Sequence, residues 1–455
     1  MLLNKRIVVF DLRDLNHYLP YITLVFIFLI NVLIIWPGQM NPDSIGQYNS
    51  AINSEYTDAH PPMMSVLWRL LDFFHKGPGL LFLFHLLLLY TALIIFISIF
   101  RESKLSWFYV IFPLLPQILF YSGGIWKDVG FAFSYLLSIA IVSFLISKNK
   151  KPGFFLILLI FFLLFYGTLI KFQAMYVLPF MLFGLVYTLN DFKINFKIFI
   201  LTLFSYVYFI FLANAFNNYF VGESKKSHFW QFVKLYDLAA ISLQANQELF
   251  PDFIKQNQNY SFEKIKKRFN PEQVDEIVFP KDSPLIKGKN EEERNALLNC
   301  WYYVIYQYPF FYLKHRFRNW LYIIKAMPLQ KLEKLDLRKF QGIKWFANSK
   351  ENLLNKLFFN FLKIIRYIFR FGFLLPFIIF YFFLGLITFS RIPKFAMPLI
   401  IMNGLNITFL FILFFFSMAG MMRYVYIVVC MVHASHPFAY FCFKELKFIS
   451  RRKIL

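Results

Sequence analysis

Apolar residues run along most of this chain in long uninterrupted stretches that are separated by shorter polar segments. The stretches at 153–170 and 407–416, for example, consist almost entirely of aliphatic and aromatic residues. About twenty apolar residues are needed to cross the hydrocarbon core of a bilayer, whereas an amphipathic helix of a soluble protein is apolar on one face only. The pattern therefore predicts helices that span a membrane.

Ten such spans can be placed along the sequence. They lie approximately at 18–36, 79–100, 107–121, 127–147, 153–170, 174–190, 197–218, 367–389, 396–417 and 424–443. The first span resembles a signal sequence, but it lacks a small-residue cleavage site, and Trp36, Pro37 and Gln39 follow it. We interpret it as a retained membrane anchor.

Two longer segments separate the spans. Residues 37–78 form a first outer loop, in which 63–74 has the spacing of an amphipathic helix. Residues 219–366 form an outer insert that we expect to be mostly helical. Within it, the charged start and periodic apolar positions of 291–308 predict a helix. The stretch 310–327 mixes aromatic residues with cations, which predicts a helix on the membrane surface with its cations toward lipid phosphates.

The predicted fold class is thus all-α: a polytopic helical membrane protein with a mostly helical extracytoplasmic insert. Residues 1–218 form an N-terminal transmembrane module that includes the first outer loop. Residues 219–366 form the extracytoplasmic insert. Residues 367–455 form the C-terminal transmembrane helices and a basic cytoplasmic tail.

The composition agrees with this class, and the charge orients the chain. Hydrophobic residues make up 59% and charged residues 16% of the chain, whereas about a quarter of a soluble domain is charged. The net charge of +23 arises largely from Lys and Arg in short loops, as is typical of cytoplasmic loops, so no nucleic-acid partner is expected. With the N-terminus in the cytoplasm, the basic clusters near 5–13, 101–104, 148–151, 193–197, 391–394 and 444–453 all fall inside. The sequence predicts a multi-pass protein of the inner (plasma) membrane with both termini cytoplasmic.

The first outer loop carries three candidate site residues. Asp43 follows the end of the first span, and a carboxylate held at the membrane edge can act as a general base. Asp58 and His60 precede a Pro-Pro pair that starts the next element. The competing interpretation is structural, because Asp and Asn favour helix starts and Pro favours the first turn. His60 fits either a structural imidazole or a substrate contact.

Three further outer segments carry cations. Lys127 and Asp128 follow the Gly-Gly turn before the fourth span, Lys171 lies between two apolar runs, and Arg423 precedes the last span. Interfacial anchoring, snorkelling and a polar hairpin tip are the competing interpretations. Ionisable residues close to the membrane are nevertheless functional candidates. Arg can bind a phosphate through two parallel hydrogen bonds. Carboxylates and cations on one face predict a site that holds a lipid-linked phosphate and deprotonates a hydroxyl.

At these residues the chain resembles the polytopic glycosyltransferases of the GT-C superfamily, which includes the polyprenyl-phosphate-mannose and aminoarabinose transferases. The resemblance rests on the pattern PDSIGQYNSAINSEYTDAHPP after the first span, on the turn IWKD, and on the late pair Arg423-Tyr424. It covers mainly residues 18–218. It implies a module of about seven spans in which the first outer loop frames the active site.

The resemblance also implies roles for individual residues. Asp43 would be the catalytic base, while Lys127 and Arg423 would neutralise the departing phosphate, a role also open to Lys171. Apart from the resemblance, we also count His60, Asp128 and Tyr424 as candidate substrate-binding residues because they lie beside these positions. This chain departs from the family by lacking a paired acidic motif at the start of the loop, so Asp58 is the alternative base.

The implied donor is a polyprenyl-phosphate-linked sugar, and the acceptor is a glycan, a lipid or a protein at the lipid bilayer. No cofactor is firmly implied. The acidic residues of the outer loops could support a divalent metal, although no spacing demands one.

Two other functions remain open from the sequence. A polymerase or ligase of lipid-linked glycans would rely on Arg and His in the large outer segment, and the candidates there are His315, Arg316 and Arg318. A lipid-carrier flippase or transporter would carry ionisable residues midway through its spans, where His85 is the main exception to an otherwise apolar composition.

Overall fold

The computed structural model describes residues 12–222, 225–325 and 371–452. Every regular element in these three ranges is a helix, and the strand-like pairings there are isolated bridges between single residues. The predicted all-helical fold class is therefore confirmed for this part of the chain. The predicted insert residues 326–366 and the basic positions 5, 6 and 453 lie outside the described residues.

The helices of the N-terminal part follow one another with short connections. They are α1 (Leu12–Ile35), α2 (Pro42–Asn53), α3 (Met63–Phe74), α4 (Gly79–Ile99), α5 (Ser106–Ile111), α6 (Pro116–Ser122), α7 (Lys127–Lys148), α8 (Phe154–Ile170), α9 (Leu178–Leu189) and α10 (Phe196–Phe220). The amphipathic stretch predicted at 63–74 is confirmed as a helix by α3.

The insert and the C-terminal part are also helical where they are described. Their helices are α11 (Trp230–Ala245), α12 (Asp252–Lys255), α13 (Phe262–Arg268), α14 (Asp275–Val278), α15 (Glu291–Gln307), α16 (Pro309–Lys325), α17 (Leu375–Thr388), α18 (Pro393–Phe416) and α19 (Tyr426–Arg452). The helix predicted at 291–308 is confirmed by α15. The one predicted at 310–327 is confirmed as far as the structure describes it by α16.

Six helices of the described residues are long and apolar enough to cross a membrane, namely α1, α4, α7, α10, α18 and α19. Three shorter apolar helices, α8, α9 and α17, coincide with further predicted spans. The span predicted at 107–121 is wrong as a single helix, because it is divided into α5, a 3₁₀ turn and α6. Pro113 and Pro116 explain this division, since proline has no amide proton for the helical ladder.

α7 is the central helix of the bundle. It packs against α4, α8, α18 and α19, and 94% of its most apolar 18-residue stretch is buried. In α1 and α10 the corresponding share is 22%, and large apolar side chains such as Leu33 and Phe204 are exposed there. Such an exposed apolar surface is what a lipid-facing helix presents. The site described below is carried by the first residues of the central helix.

The basic loops that we predict on one side of the membrane lie at the same end of the helix bundle. Lys151 pairs with Asp191 (2.6 Å), and Arg391 lies 3.7 Å from Glu445. Phe100, which directly precedes the basic loop 101–104, stacks on Phe395 at the start of α18. These contacts join loops that follow α4, α7, α9 and α17 and the end of α19. The first outer loop lies at the opposite end.

The insert has an apolar core of its own, built mainly from α11, α15 and the start of α16. A buried ion pair crosses this core: Arg316 donates from Nη2 to Oδ2 of Asp237 (2.6 Å) and from Nη1 to the carbonyl of Ser417 (2.9 Å). His315 is buried beside the same carboxylate. The prediction that Arg316 points toward lipid phosphates is therefore wrong, because its charge is compensated inside the protein.

α16 continues from the insert onto the bundle. The indole of Trp320 donates to the carbonyl of Leu410 in α18 (3.1 Å), and Ile323 and Ile324 belong to the core of the bundle. The insert is thus held against the end of α18, immediately before the loop that carries Arg423.

Candidate functional site

The first outer loop is joined to the turn before α7 by hydrogen bonds. The amide of Gln39 donates to the carbonyl of Gly123 (2.7 Å), and the amide of Ile125 donates to the carbonyl of Gln39 (2.9 Å). The hydroxyl of Ser44 also donates to the carbonyl of Ile125 (2.7 Å). A Cβ atom at Gly123 would lie 2.5 Å from the side chain of Ile35, so glycine allows this close approach. The loop and the turn therefore form one unit.

Asp43 lies in the first turn of α2 and faces Arg423. The cap of this helix is Asn41, whose side chain accepts a hydrogen bond from the amide of Ser44 (2.8 Å), and Pro42 is the first helical residue. The structural interpretation proposed that an acidic residue caps a helix here, but the cap of α2 is Asn41. The side chain of Asp43 makes a tertiary contact instead, with 2.9 Å between its Oδ2 and Nη1 of Arg423.

Lys127 begins α7 and contacts the imidazole of His60, with 3.3 Å between Nζ and Nδ1. Burial and the positive charge of Lys127 lower the pKa of His60 to about 4. The imidazole is therefore neutral near pH 7, so Nδ1 accepts the hydrogen bond from the ammonium and Nε2 carries the ring proton. Because an ammonium has three N–H donors, Lys127 keeps donors for a ligand.

A second pair of opposite charges, Asp128 and Lys171, is buried at the same site. The ammonium of Lys171 lies 5.2 Å from the ring centre of Tyr424, and the guanidinium of Arg423 lies 5.5 Å from the same ring. Both distances are in the range of cation–π contacts. Lys171 is only 4% exposed, which contradicts the hairpin-tip interpretation. The ring of Tyr424 thus contacts two cations of the site.

Two of the three cations of the cluster are paired with carboxylates, Lys171 with Asp128 and Arg423 with Asp43. Lys127 contacts the neutral imidazole of His60 instead, so no direct ion pair compensates its charge. Burial raises the pKa of Asp43, but Arg423 and then Lys127 outweigh this and hold it below its ordinary value. Asp43 is therefore ionised at neutral pH. The cluster is suited to an anionic ligand.

Asp58 does not join this cluster. One of its carboxylate oxygens accepts hydrogen bonds from the amide and the hydroxyl of Ser227, and the other accepts from the amide of His228 (3.3 Å). The carbonyl of Ser227 also accepts from the ammonium of Lys287 (2.6 Å). Asp58 therefore fastens the first outer loop to the start of the insert. Of the two proposed bases, Asp43 is the one that lies among the cations.

The sequence did not point to Asp275, the first residue of α14. Burial raises the pKa of its carboxyl group, Arg423 lowers it and Asp43 raises it, which indicates that Asp275 is within electrostatic range of this pair. Its surroundings in the sequence, EQVDEIV, match no pattern that we recognise. The folding of the insert brings it there, and periodicity does not reveal such long-range placement.

The spans contain more polar side chains than the sequence suggested. In addition to His85, which contacts the hydroxyl of Tyr166 (2.6 Å), a second chain of hydrogen bonds is present. The hydroxyl of Tyr381 contacts Nδ1 of His436 (2.9 Å), and Nε2 of His436 contacts Nδ1 of His433 (3.2 Å). The expectation that His85 is the main exception within the spans is therefore wrong.

Within 12–222, 225–325 and 371–452, no group of three or more His, Cys, Asp or Glu side chains is arranged to hold a metal ion. Comparisons of the chain with models of known protein families, with curated proteins and with solved structures found no match. The family resemblance drawn from the sequence therefore remains a prediction.

Proposed function

We propose that this protein is a membrane glycosyltransferase that moves a sugar from a polyprenyl-phosphate donor to an acceptor hydroxyl on the extracytoplasmic face. The observation that supports this most is the clustering of two carboxylates, Asp43 and Asp128, with three cations from separate segments of the chain. Lys127, Lys171 and Arg423 are distant in sequence, and each lies at the end of an apolar helix.

The cations keep hydrogen-bond donors for a phosphate. Nε of Arg423 is buried and has no hydrogen-bond partner among the described residues, although a buried donor is costly to leave unpaired. A phosphate oxygen would satisfy it, and the planar guanidinium can hold phosphate through two parallel hydrogen bonds. Lys127 would add a second positive contact.

The position of the cluster suits a lipid-linked donor. Lys127 begins the central helix, and Lys171 directly follows α8. A polyprenyl chain resides in hydrocarbon, so its phosphate lies where apolar helices end. Donor and cations are therefore expected at the same level of the bilayer.

The proposed reaction is a single displacement with inversion at the sugar. The acceptor oxygen bonds to the anomeric carbon while the bond from that carbon to the phosphate oxygen breaks. The acceptor's proton passes to Asp43. The electron pair of the broken bond remains on the phosphate, where Arg423 and Lys127 stabilise the added negative charge.

Donor binding also prepares the base. In the structure, Arg423 is paired with Asp43. An incoming phosphate competes for the same guanidinium, which loosens the pair and frees a carboxylate oxygen for the acceptor's proton. The carboxylate thus becomes available when the donor is in place.

The proposed orientation places the site outside the cytoplasm. The basic loops gather at the opposite end of the bundle, and loops rich in Lys and Arg are typical of the cytoplasmic side. We therefore propose a multi-pass protein of the plasma membrane with both termini inside.

Mass analysis of surface glycans tests the proposed function. Glycans are compared between cells with the gene, cells without it, and cells in which it has been restored. We expect a sugar to be missing in the deletion strain and to return on restoration, and its mass and attachment would identify donor and acceptor together. Identical glycans in all three strains would overturn the proposal.

The structure argues against a polymerase or ligase that uses the predicted His and Arg residues of the insert. His315 and Arg316 are buried in the core of the insert against Asp237, whereas Arg318 is exposed. Buried side chains with a structural partner are poorly placed to contact a glycan.

The transporter alternative is supported by one observation. The hydrogen-bonded side chains of Tyr381, His436 and His433 lie within the apolar helices, and intramembrane histidines often mark a transport path. Movement of a lipid carrier across the membrane without any covalent product would favour this alternative.

A further inference from the structure

A cavity of about 420 Å³ lies at the end of the helix bundle that carries the basic loops. It is enclosed by the end of α7, the end of α9 and the start of α18. Its wall combines hydroxyl-bearing, basic and apolar side chains, among them Ser147, Tyr187, Arg391, Lys394, Ile146 and Ile392. This volume is typical of a site for a small ligand or for one group of a larger ligand.

The two cations of the wall keep hydrogen-bond donors for a ligand. Nη1 of Arg391 lies 3.7 Å from a carboxylate oxygen of Glu445, which is beyond hydrogen-bond distance. The ammonium of Lys394 lies 5.1 Å from the ring centre of Phe395, and within the described ranges no carboxylate pairs with it. An ammonium has three N–H donors and a guanidinium has five. The wall therefore presents positive charge that the protein compensates only weakly.

The start of α18 adds to this positive charge. The helix begins at Pro393, and no side chain caps it. The first amides of a helix have no partner within the helix, and the helix dipole is positive at this end. Arg391 directly precedes the first turn of α18, and Lys394 lies within it. Both side chains and the helix end thus favour an anion in the same place.

Two hydroxyl groups of the wall have no hydrogen-bond partner in the described part of the chain. Oγ of Ser147 is buried and unpaired. Tyr187 is only 2% exposed and lines the cavity, and its hydroxyl makes no hydrogen bond to a described residue. Buried polar groups are usually hydrogen-bonded, because an unpaired one is costly. Unpaired hydroxyls beside two cations indicate a ligand with negatively charged oxygen acceptors.

We infer that this cavity binds the phosphate headgroup of an anionic phospholipid from the inner leaflet. The apolar helices α7 and α9 end here and α18 begins here, so the cavity lies at the level of the headgroups. Ile146 and Ile392 provide apolar surface for the part of the lipid next to the phosphate. Basic pockets between transmembrane helices on the cytoplasmic side are known to hold such headgroups. The site is independent of the proposed sugar transfer, because Asp43 lies at the opposite end of the bundle.

The test compares the double variant Arg391→Gln/Lys394→Gln with Lys150→Gln/Lys197→Gln. The second pair removes two exposed cations from the same end of the bundle that do not line the cavity. Binding of phosphatidylglycerol and of phosphatidylcholine to the purified full-length proteins is measured by native mass spectrometry. Glycerol 3-phosphate is included as a soluble phosphate. Tyr187→Phe removes one hydroxyl and keeps every charge.

We expect the wild type to bind phosphatidylglycerol about 30-fold more tightly than phosphatidylcholine, since each cation near an anionic lipid contributes about fivefold. Arg391→Gln/Lys394→Gln should lose this preference, and Lys150→Gln/Lys197→Gln should keep it within about twofold. Tyr187→Phe should weaken phosphatidylglycerol binding by about three- to tenfold, as for loss of one hydrogen bond. Thermal unfolding without added lipid shows whether each variant is folded.

Three results would overturn the inference. The first is equal phosphatidylglycerol affinity in the wild type and Arg391→Gln/Lys394→Gln. The second is an equal loss in both double variants, which would indicate diffuse surface charge. The third is binding of glycerol 3-phosphate as tight as that of phosphatidylglycerol, which would indicate a soluble anion. If Arg391→Gln/Lys394→Gln does not fold, unchanged phosphatidylglycerol affinity in Tyr187→Phe overturns it instead.

Discussion

Replacing Asp43 by asparagine is expected to reduce sugar transfer by a factor of about 10² to 10⁴, the usual contribution of a general base. Asparagine has nearly the same shape but cannot take the acceptor's proton. Because the side chain of Asp43 is partly exposed and its helix is capped by Asn41, the protein should still fold. The measurement is glycan product per amount of folded protein in membranes of the complemented deletion strain.

Asp58→Asn is the matched control, since Asp58 is the alternative base in the same loop. Its oxygens fasten the loop to Ser227 and His228, so we expect less stable protein but unchanged transfer per folded molecule. Full activity in Asp43→Asn would show that the base is another residue. Loss of transfer in Asp58→Asn at normal thermal stability would point to Asp58.

The ionisation of Asp43 has a consequence for pH dependence. Burial raises the pKa of Asp43, but Arg423 and Lys127 lower it by more. The carboxylate therefore stays charged when the medium is acidified to the pH at which an ordinary Asp begins to be protonated. The proposed base is therefore active throughout the pH range of growth. A fall in transfer within that range then comes from another group, or from Asp43 itself once the donor phosphate has drawn Arg423 away from it.

Replacing Arg423 by glutamine is expected to weaken binding of undecaprenyl phosphate by about 10- to 100-fold. This range corresponds to the loss of a charge-assisted hydrogen bond. Arg423→Lys should recover part of the affinity, because lysine restores the charge but not the planar pair of donors. Affinity is measured on purified protein by native mass spectrometry or by competition with a labelled carrier.

Arg318→Gln is the control for Arg423. Arg318 is an exposed cation of the insert and a candidate of the polymerase or ligase alternative. We expect its loss to leave carrier binding and transfer unchanged. Equal affinity in Arg423→Gln and the wild type would contradict the assigned phosphate site, and inactivity confined to Arg318→Gln would support the alternative.

The sequence predicted the helical class because long apolar runs have few alternatives in a membrane. It predicted the grouping of Asp43, Lys127, Lys171 and Arg423 because each follows or precedes an apolar span on the same side. The division of 107–121 by Pro113 and Pro116 was visible in principle, but hydropathy alone does not register a missing amide proton.

The errors and omissions have a common physical cause, which is tertiary pairing. We predicted that Arg316 is a lipid-facing cation because its partner Asp237 lies far away in the sequence. The role of Asp58 depends on Ser227, which is equally remote. The insert is joined to the loop before Arg423 by backbone bonds to residues 418–420, and a backbone bond leaves no trace in side-chain patterns.

The proposed function requires the cluster to face away from the cytoplasm. Two single-cysteine variants test this in a chain whose native cysteines have been replaced: Lys76→Cys, exposed at the end of the first outer loop, and Lys150→Cys, exposed in a basic loop. Intact cells are treated with a membrane-impermeant maleimide, and labelling is repeated after permeabilisation. We predict that Lys76→Cys is labelled in intact cells and Lys150→Cys only after permeabilisation. The reverse pattern would place Asp43 and the cations in the cytoplasm and contradict the proposed function.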